Sequence, residues 1–270
     1  TIGAKVVVTD SRTAEQIGLR RRDYPDVRFY LGDHPEDVLI GARYICISGG
    51  VPLDLPILEL AKSRNIPFTN DAQLFMERCP APIVGITGSA GKTTTTSLVA
   101  KIAEKAGYKV WLGGNIGNVL IDDLPNIKRD DLVVMELSSF QLELMTISPQ
   151  VAAILNLTPN HLDRHGSMEN YAAAKANIIR YQNPSDVAVL GWDNQITKSM
   201  EVLVEGELVA FSRFDMIPNG AFMAGNRLLV AGSASFDMMP HVVCEREDIP
   251  LRGDHNVMNV LAACAIAGSD

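Results

Sequence analysis

The chain has 270 residues, of which 47% are hydrophobic and 21% charged, with a net charge of −8. That length supports a sizeable core, more readily as two domains than one, and the acidic balance argues against a basic nucleic-acid-binding surface. No apolar run reaches the roughly 18 residues of a membrane span, and the start lacks the basic and apolar regions of a signal peptide.

The four cysteines, Cys46, Cys79, Cys244 and Cys264, form no C-x-x-C pair. They suit buried thiols in a reducing compartment better than a disulfide framework or a zinc site. Short, mostly β-branched runs recur at 4–10, 43–48, 83–87, 110–114, 132–137, 151–156 and 187–191. Such runs suit strands covered on both faces of a parallel sheet. Helical patterns lie between them at 54–64, 71–78, 92–106 and 168–181. The alternation predicts a doubly wound α/β fold. The chain starts abruptly in a strand, as if inside a domain. A domain boundary is expected near Pro80 and Pro82, which interrupt any helix before a new strand begins. From 201 to 250, short strands joined by turns predict a small antiparallel appendage, with Gly225-Asn226 as a tight hairpin turn. A final helical pattern starts near His255.

"GITGSAGKTTTT" (85–96) stands between an apolar strand and a helical pattern. The strict phosphate-loop spacing wants a glycine five positions before Gly91, where Ile86 stands. The context is still strand, glycine turn, helix N-terminus, where free N–H groups and the helix dipole favour an anion. Lys92 can reach terminal phosphates and the Thr93 hydroxyl can ligate Mg²⁺. Threonines 93–96 are mediocre helix formers, which hints that hydroxyls are wanted there.

Downstream lie further candidates. "GGNIGNVL" (113–120) is either a ligand-contacting loop or a plain one. Glu136 ends a strand at the edge where open α/β sheets bind ligands. It either holds a metal or a metal-bound water, or is a solvated carboxylate. His161 and His165 have the i, i+4 spacing of a zinc helix, but Pro159 and Gly166 bracket them and no third soft ligand follows. A single imidazole there can still ligate or orient. Lys175 lies among Ala172, Ala173, Ala174 and Ala176. A surface lysine on an alanine-rich helix is the economical reading; facing inward, its amine would have a lowered pKa.

Taken in order, "GITGSAGKTTTT", "GGNIGNVL", "ELSSFQLE", "LNLTPNHLDRHGSMENYAAAKANI" and "RGDHNVMNVLAA" resemble the Mur ligases of bacterial cell-wall synthesis. That family's phosphate loop has the longer glycine spacing seen here. The resemblance implies a partial Rossmann-like N-terminal domain for the UDP-linked substrate (1–80) and a central P-loop ATPase domain (81–270). It assigns ATP to Gly88, Ser89, Ala90, Gly91, Lys92, Thr93 and Thr94, and the adenine to Asn256 and Asn259. Thr93, Glu136, His161 and Lys175 become Mg²⁺ ligands, with Lys175 as the family's carbamylated lysine. Lys92, Glu136, His161 and Lys175 are the implied catalytic set. Substrate contacts fall on Asp10, Ser11, Arg12, Ser48, Gly49, Asn115, Ser138 and Gln141.

"ELSSFQLE" and "GGNIG" favour the member that joins D-glutamate to UDP-N-acetylmuramoyl-L-alanine through an acyl phosphate, as a cytoplasmic monomer without nucleic-acid or membrane partners. Alternatives are another Mur-type ligase with a different amino acid, the more distant folate-polyglutamate ligases, or a P-loop NTPase switch. A dinucleotide-binding module is disfavoured because no G-x-G-x-x-G follows a strand. Ala90 stands where the family usually has asparagine, and "SGG" where "SPG" is usual. Against the family pattern the chain is expected to lack the first strand and helix of the N-terminal domain and the whole amino-acid-binding C-terminal domain. On that basis it is expected to bind ATP and the UDP-substrate without ligating, so that ATP, the L-alanine substrate and D-glutamate give no product. Robust turnover by the isolated chain would overturn this.

Overall fold

The computed structural model describes residues 4–235 and 238–269. The chain forms two compact units, one ending at Thr69 and the other starting at Asn70. The first holds β1 (Val6–Asp10), β2 (Val27–Leu31), β3 (Ile45–Cys46), α1 (Pro56–Ser63) and β4 (Phe68–Thr69). β1 pairs with β2 and β3 with β4, both in parallel. Leu39, Ile47, Leu58 and Ala61 are its buried apolar residues.

The second unit holds α2 (Asp71–Met76), β5 (Ile83–Thr87), α3 (Lys92–Ala106), β6 (Val110–Gly114), α4 (Leu120–Asp123), β7 (Leu132–Glu136), α5 (Ser139–Leu142), β8 (Val151–Ile154), α6 (Leu162–His165), α7 (Met168–Arg180) and β9 (Val187–Gly191). α8 (Gln195–Lys198), β10 (Glu207–Ser212), β11 (Gly220–Ala224), β12 (Arg227–Gly232), β13 (Met238–Glu245) and α9 (Asp254–Ala267) complete it. The nine strands make one sheet in the order β13-β12-β11-β10-β9-β8-β5-β7-β6. The predicted strands at 83–87, 110–114 and 187–191 and the helix at 92–106 are observed with those bounds.

Two expectations are revised. The first unit ends before α2, ahead of the Pro80–Pro82 stretch. Asn70 caps α2 by accepting from Gln73 N, and Ala72, Phe75 and Met76 are buried in one cluster with Ile83, Val133 and Met135. The segment 201–250 is no separate antiparallel appendage. β10 runs parallel to β9, and β11 parallel to β10. Among the described residues of this segment, antiparallel pairing is confined to β11–β12 and β12–β13, at the sheet edge. Gly225, with φ 61°, and Asn226 do form the two-residue turn between β11 and β12.

Period-two alternation divides the sheet between two layers. Val133 and Met135 of β7 and Ala152 and Ile154 of β8 face the cluster containing Phe75, Leu142 and Tyr171. Val134, Val151 and Ala153 face the other, with Val99 of α3 and Leu261 of α9. Both faces are therefore dry, which is why these strands read as unbroken apolar runs. From β5 the chain runs first to the β7–β6 side and returns to β8 on the other. This reversal opens a crevice beyond the carboxyl ends of β5, β7 and β8. Among the described residues, no helix is long and apolar enough to cross a membrane.

Gly85 lies inside β5, away from the loop that follows. A Cβ there would stand 2.6 Å from Pro149 Cγ and 3.3 Å from Leu137 Cδ1. Its absent side chain serves packing. Gly85→Ala should therefore cost about 1–3 kcal/mol of stability through overpacking. Denaturant unfolding checks this, and an unchanged midpoint would refute it.

Candidate active site

Three strand ends meet at the crevice. Residues 88–91 leave β5, Glu136 ends β7, and Asn156 follows β8. Gly91 caps α3 in the left-handed region at φ 85°, and a Cβ there would collide with the Asn259 side chain. The first turn of a helix has N–H groups without intrahelical partners, so the Gly91 turn aims a donor set into the crevice. Lys92 Nζ folds back to donate to Gly88 O at 3.0 Å.

Glu136 is 2% exposed. Thr93 Oγ1 donates to its Oε2 and Asn115 Nδ2 to its Oε1, each at 2.8 Å. The Asn115 N–H also donates to the Glu136 carbonyl at 2.8 Å. The carboxylate is thus fixed between α3 and the loop after β6, which decides against a solvated strand-end acid. The contact that "GGNIG" makes is internal, from Asn115 to Glu136.

Lys175 is 1% exposed, so the inward-facing reading holds. Its Nζ donates to Thr87 Oγ1 at 2.9 Å, and Thr87 passes its own proton to Leu137 O at 2.7 Å. Burial is the main cause that lowers the Lys175 pKa to about 7; the Lys92 charge lowers it further and Glu136 opposes both. The small neighbours predicted from the alanine run let α7 approach the sheet closely enough to place the amine there.

His161 begins α6 in the left-handed region, at φ 53° and ψ 31°. Its ring and that of His165 both flank Phe140, with centroids 5.2 and 5.3 Å away. His165 is buried, meets Ser139 Oγ at 3.0 Å, and has its pKa lowered chiefly by that burial. Among the described residues, no group of three or more His, Cys, Asp or Glu side chains could hold a metal ion. The oxygen pair Thr93 and Glu136 still suits Mg²⁺, which takes one or two carboxylates and fills its shell with water and phosphate.

Beside the Gly91 turn is a cleft of about 350 Å³, with Leu155, Phe211 and Met258 as apolar walls and Asn156, Asp193, Asn194, His255 and Asn259 as polar ones. Asn259 Nδ2 donates to Asn256 Oδ1 at 3.1 Å, and Asn256 Nδ2 to Arg252 O at 2.7 Å. Asn259 is buried and Asn256 half-buried. Of the two asparagines that the resemblance nominated, Asn259 lines the cleft; its other walls were not foreseen. Their signal was "GWDN" (191–194), polar residues at the carboxyl end of a parallel strand.

The other expected substrate residues are placed as follows. Ser138 and Gln141 form a capping box at α5: Gln141 Oε1 accepts from Ser138 N and Oγ, both at 3.0 Å. Their capping role was not foreseen. In the first unit, Asp10 ends β1, and Ser11 and Arg12 follow it in a bend. Asp10 accepts from Arg12 N, Nε and Nη2 at 2.8–3.0 Å, and the side-chain bonds are the main cause that holds its pKa down at about 2. Ser48 and Gly49 are exposed in a turn where Val51 N donates to Ser48 O.

A buried lysine and a buried glutamate thus lie near a glycine-started helix N-terminus at a sheet switch point, a geometry that suits an anion. The profile of the Mur ligase middle domain matches residues 86–267, and the chain belongs to the Mur ligase family. It is 39% identical over 97% of its length to the UDP-N-acetylmuramoylalanine–D-glutamate ligase of Clostridium botulinum (strain 657 / Type Ba4), covering 56% of that protein. The identity to the ligase of the same name from Clostridium novyi (strain NT) is 40%, covering 100% of the chain and 57% of that protein. The chain thus spans about half the length of the curated relatives it matches. Two solved structures share its fold. One is the UDP-N-acetylmuramate:L-alanyl-gamma-D-glutamyl-meso-diaminopimelate ligase from Neisseria meningitides, with TM-score 0.58 and 19% identity over 97% of this chain and 85% of that one. The other is MurF from Acinetobacter baumannii, with TM-score 0.55 and 21% identity over 73% and 44%.

The Lys175 environment sets a pH dependence. The unfolded amine titrates near its ordinary value of 10.5 and the folded one near 7. Between those values the unfolded chain binds a proton that the folded chain does not, so stability rises with pH across that window. Below pH 7 both states are protonated and the folded state bears the full burial penalty. Lys175→Met should flatten this rise in urea melts between pH 7 and 9.5. Equal slopes for variant and wild type would refute it.

Proposed function

We propose that this chain is the nucleotide-binding and substrate-binding part of an ATP-dependent ligase that joins D-glutamate to UDP-N-acetylmuramoyl-L-alanine in peptidoglycan precursor synthesis. The observation that carries the reading is the buried Glu136, held by Thr93 and Asn115, with the buried Lys175 close enough to feel both its charge and that of Lys92. The Lys92 charge and the free N–H groups at the start of α3 suit a polyphosphate. The close similarity to D-glutamate ligases supports the choice of acceptor.

In this reading the N–H groups of Gly91, Lys92, Thr93 and Thr94 receive the phosphates of ATP, with Gly88, Ser89 and Ala90 shaping the turn. The base enters the cleft walled by Phe211 and Met258 and meets Asn256 and Asn259. The substrate carboxylate attacks the γ-phosphorus and ADP leaves, giving an acyl phosphate. The neutral amine of D-glutamate then attacks the acyl carbon. Phosphate departs and the amine proton is lost, leaving an amide. Lys92 neutralises charge on the phosphoryl group in flight. Thr93, Glu136 and His161 would hold Mg²⁺, which supplies further charge neutralisation when bound.

Lys175 is proposed to react with CO₂: its neutral amine forms an N–C bond and releases one proton, leaving a carbamate. The lowered pKa makes neutral amine available near pH 7, and Lys92 offsets the new negative charge. The carbamate oxygens would be oxygen ligands for a second Mg²⁺. The uridine end is proposed to meet Asp10, Ser11, Arg12, Ser48 and Gly49 in the first unit; Asn115, Ser138 and Gln141 are proposed substrate contacts in the second. A cytoplasmic monomer without nucleic-acid or membrane partners completes the reading.

The test is ATP-dependent phosphate release by the full-length protein with D-glutamate, L-lysine, L-alanine and diaminopimelate as acceptors. Release that requires both UDP-N-acetylmuramoyl-L-alanine and D-glutamate is expected. Preference for another acceptor would reassign the amino acid, and acceptor-independent release would favour an NTPase switch. Crystals grown with bicarbonate should show density beyond Lys175 Nζ. An unmodified lysine there would remove the carbamate.

A further inference from the structure

Ala90 sits in the exposed turn between Gly88 and Gly91, where its own side chain holds nothing. Its main chain is held from outside. The Ala90 N–H donates to Asn156 Oδ1 at 3.0 Å, and Asn156 Nδ2 donates to Ala90 O at 2.9 Å. The side-chain amide thus pairs with the Ala90 main chain as a neighbouring strand would. The Asn156 carbonyl also accepts from Ser89 N at 2.8 Å. One residue therefore makes three hydrogen bonds to two consecutive loop residues.

A second strut runs alongside. Ser89 Oγ donates to Thr158 O and accepts from Thr158 N, both at 3.0 Å. With its one proton so used, Ser89 Oγ accepts from Tyr171 OH at 3.1 Å.

We propose that Asn156 is a positioning residue for the nucleotide phosphates, acting through the main chain of Ser89 and Ala90. This rests on the ATP-binding reading above. Gly88 and Gly91 flank the turn, and glycines restrict backbone conformation least. Without an external clamp the turn would sample many shapes, and phosphate binding would have to select one of them at a cost in affinity. Asn156 makes that selection beforehand. The clamp also fixes direction. The Ala90 N–H is committed to Asn156, so the phosphate donors are the N–H groups of the first turn of α3. Pairing with an N–H and a C=O together needs a donor and an acceptor on one planar group, which asparagine has and aspartate lacks.

Isothermal titration of the 270-residue chain with MgATP, MgADP and adenosine tests this on wild type, Asn156→Ala and Asn156→Asp. Loss of a hydrogen-bonded clamp in a solvent-accessible loop should weaken MgATP and MgADP about tenfold, and adenosine, which would meet Asn156 only as one wall of the cleft, distinctly less. Asn156→Asp should lose more, because it keeps the acceptor but sets a carboxylate beside the phosphates. Equal losses for MgATP and adenosine would mean that Asn156 only lines the cleft, and unchanged MgATP affinity would mean that the clamp does nothing; either overturns the proposal. Failure of wild type to bind any nucleotide would instead overturn the ATP reading. Amide hydrogen exchange in the unliganded wild type needs no variant. Ser89 and Ala90 should exchange more slowly than Gly91, and free exchange at both would overturn the clamp even where neither variant folds.

Discussion

The arrangement of the crevice depends on one electrostatic constraint: Lys175 and Glu136 are both buried at the carboxyl ends of the parallel strands. An isolated charge in such a place is expensive unless it is paired and hydrogen-bonded. Glu136 meets that condition through Thr93 and Asn115. Lys175 meets it only in part, with one hydroxyl acceptor on Thr87 and an opposing cation in Lys92. Burial is the main cause of its lowered pKa, and the Lys92 charge adds to it. A neutral amine is the form that burial favours there. Residual instability of this sort, kept in a well-packed core, is the pattern expected of a functional site.

The same contacts tie together elements that are far apart in the chain. Thr93 belongs to α3, Glu136 to β7 and Asn115 to the loop after β6, so one carboxylate ties three elements that are distant in sequence. Thr87 likewise joins β5 to α7 through Lys175 and to the end of β7 through Leu137 O. These bonds hold the Glu136 and Lys175 side chains to the scaffold itself.

Much of this was legible in the sequence, and the reasons for success and failure differ by residue. Strand and helix bounds at 83–87 and 92–106 were readable because a buried strand and a glycine-started helix have distinct periods. β2 (Val27–Leu31) was missed because "VRFYL" interrupts its apolar run with arginine. The parallel pairing of β10 and β11 was missed because period-two patterns show that a strand exists and not which neighbour it takes. Gln141 was assigned to substrate by resemblance, while its capping-box bond depends on a helix only four residues long, too short to announce itself by periodicity. Lys175 was ambiguous for the converse reason. An alanine-rich helix fits a surface equally well, and only the packing of α7 against the sheet decides which way the lysine faces.

Ala90 shows how a departure from a family pattern can be absorbed. A side chain at that position could contribute one amide to the loop, whereas the Asn156 pairing supplies both a donor and an acceptor to the main chain. Main-chain pairing does not depend on the identity of residue 90, so alanine there leaves the loop geometry intact. The functional demand shifts to position 156, where the residue must be small, planar and able to give and take a hydrogen bond. The loop's shape is therefore encoded 66 positions downstream of Ala90, beyond the reach of any motif written on the loop alone.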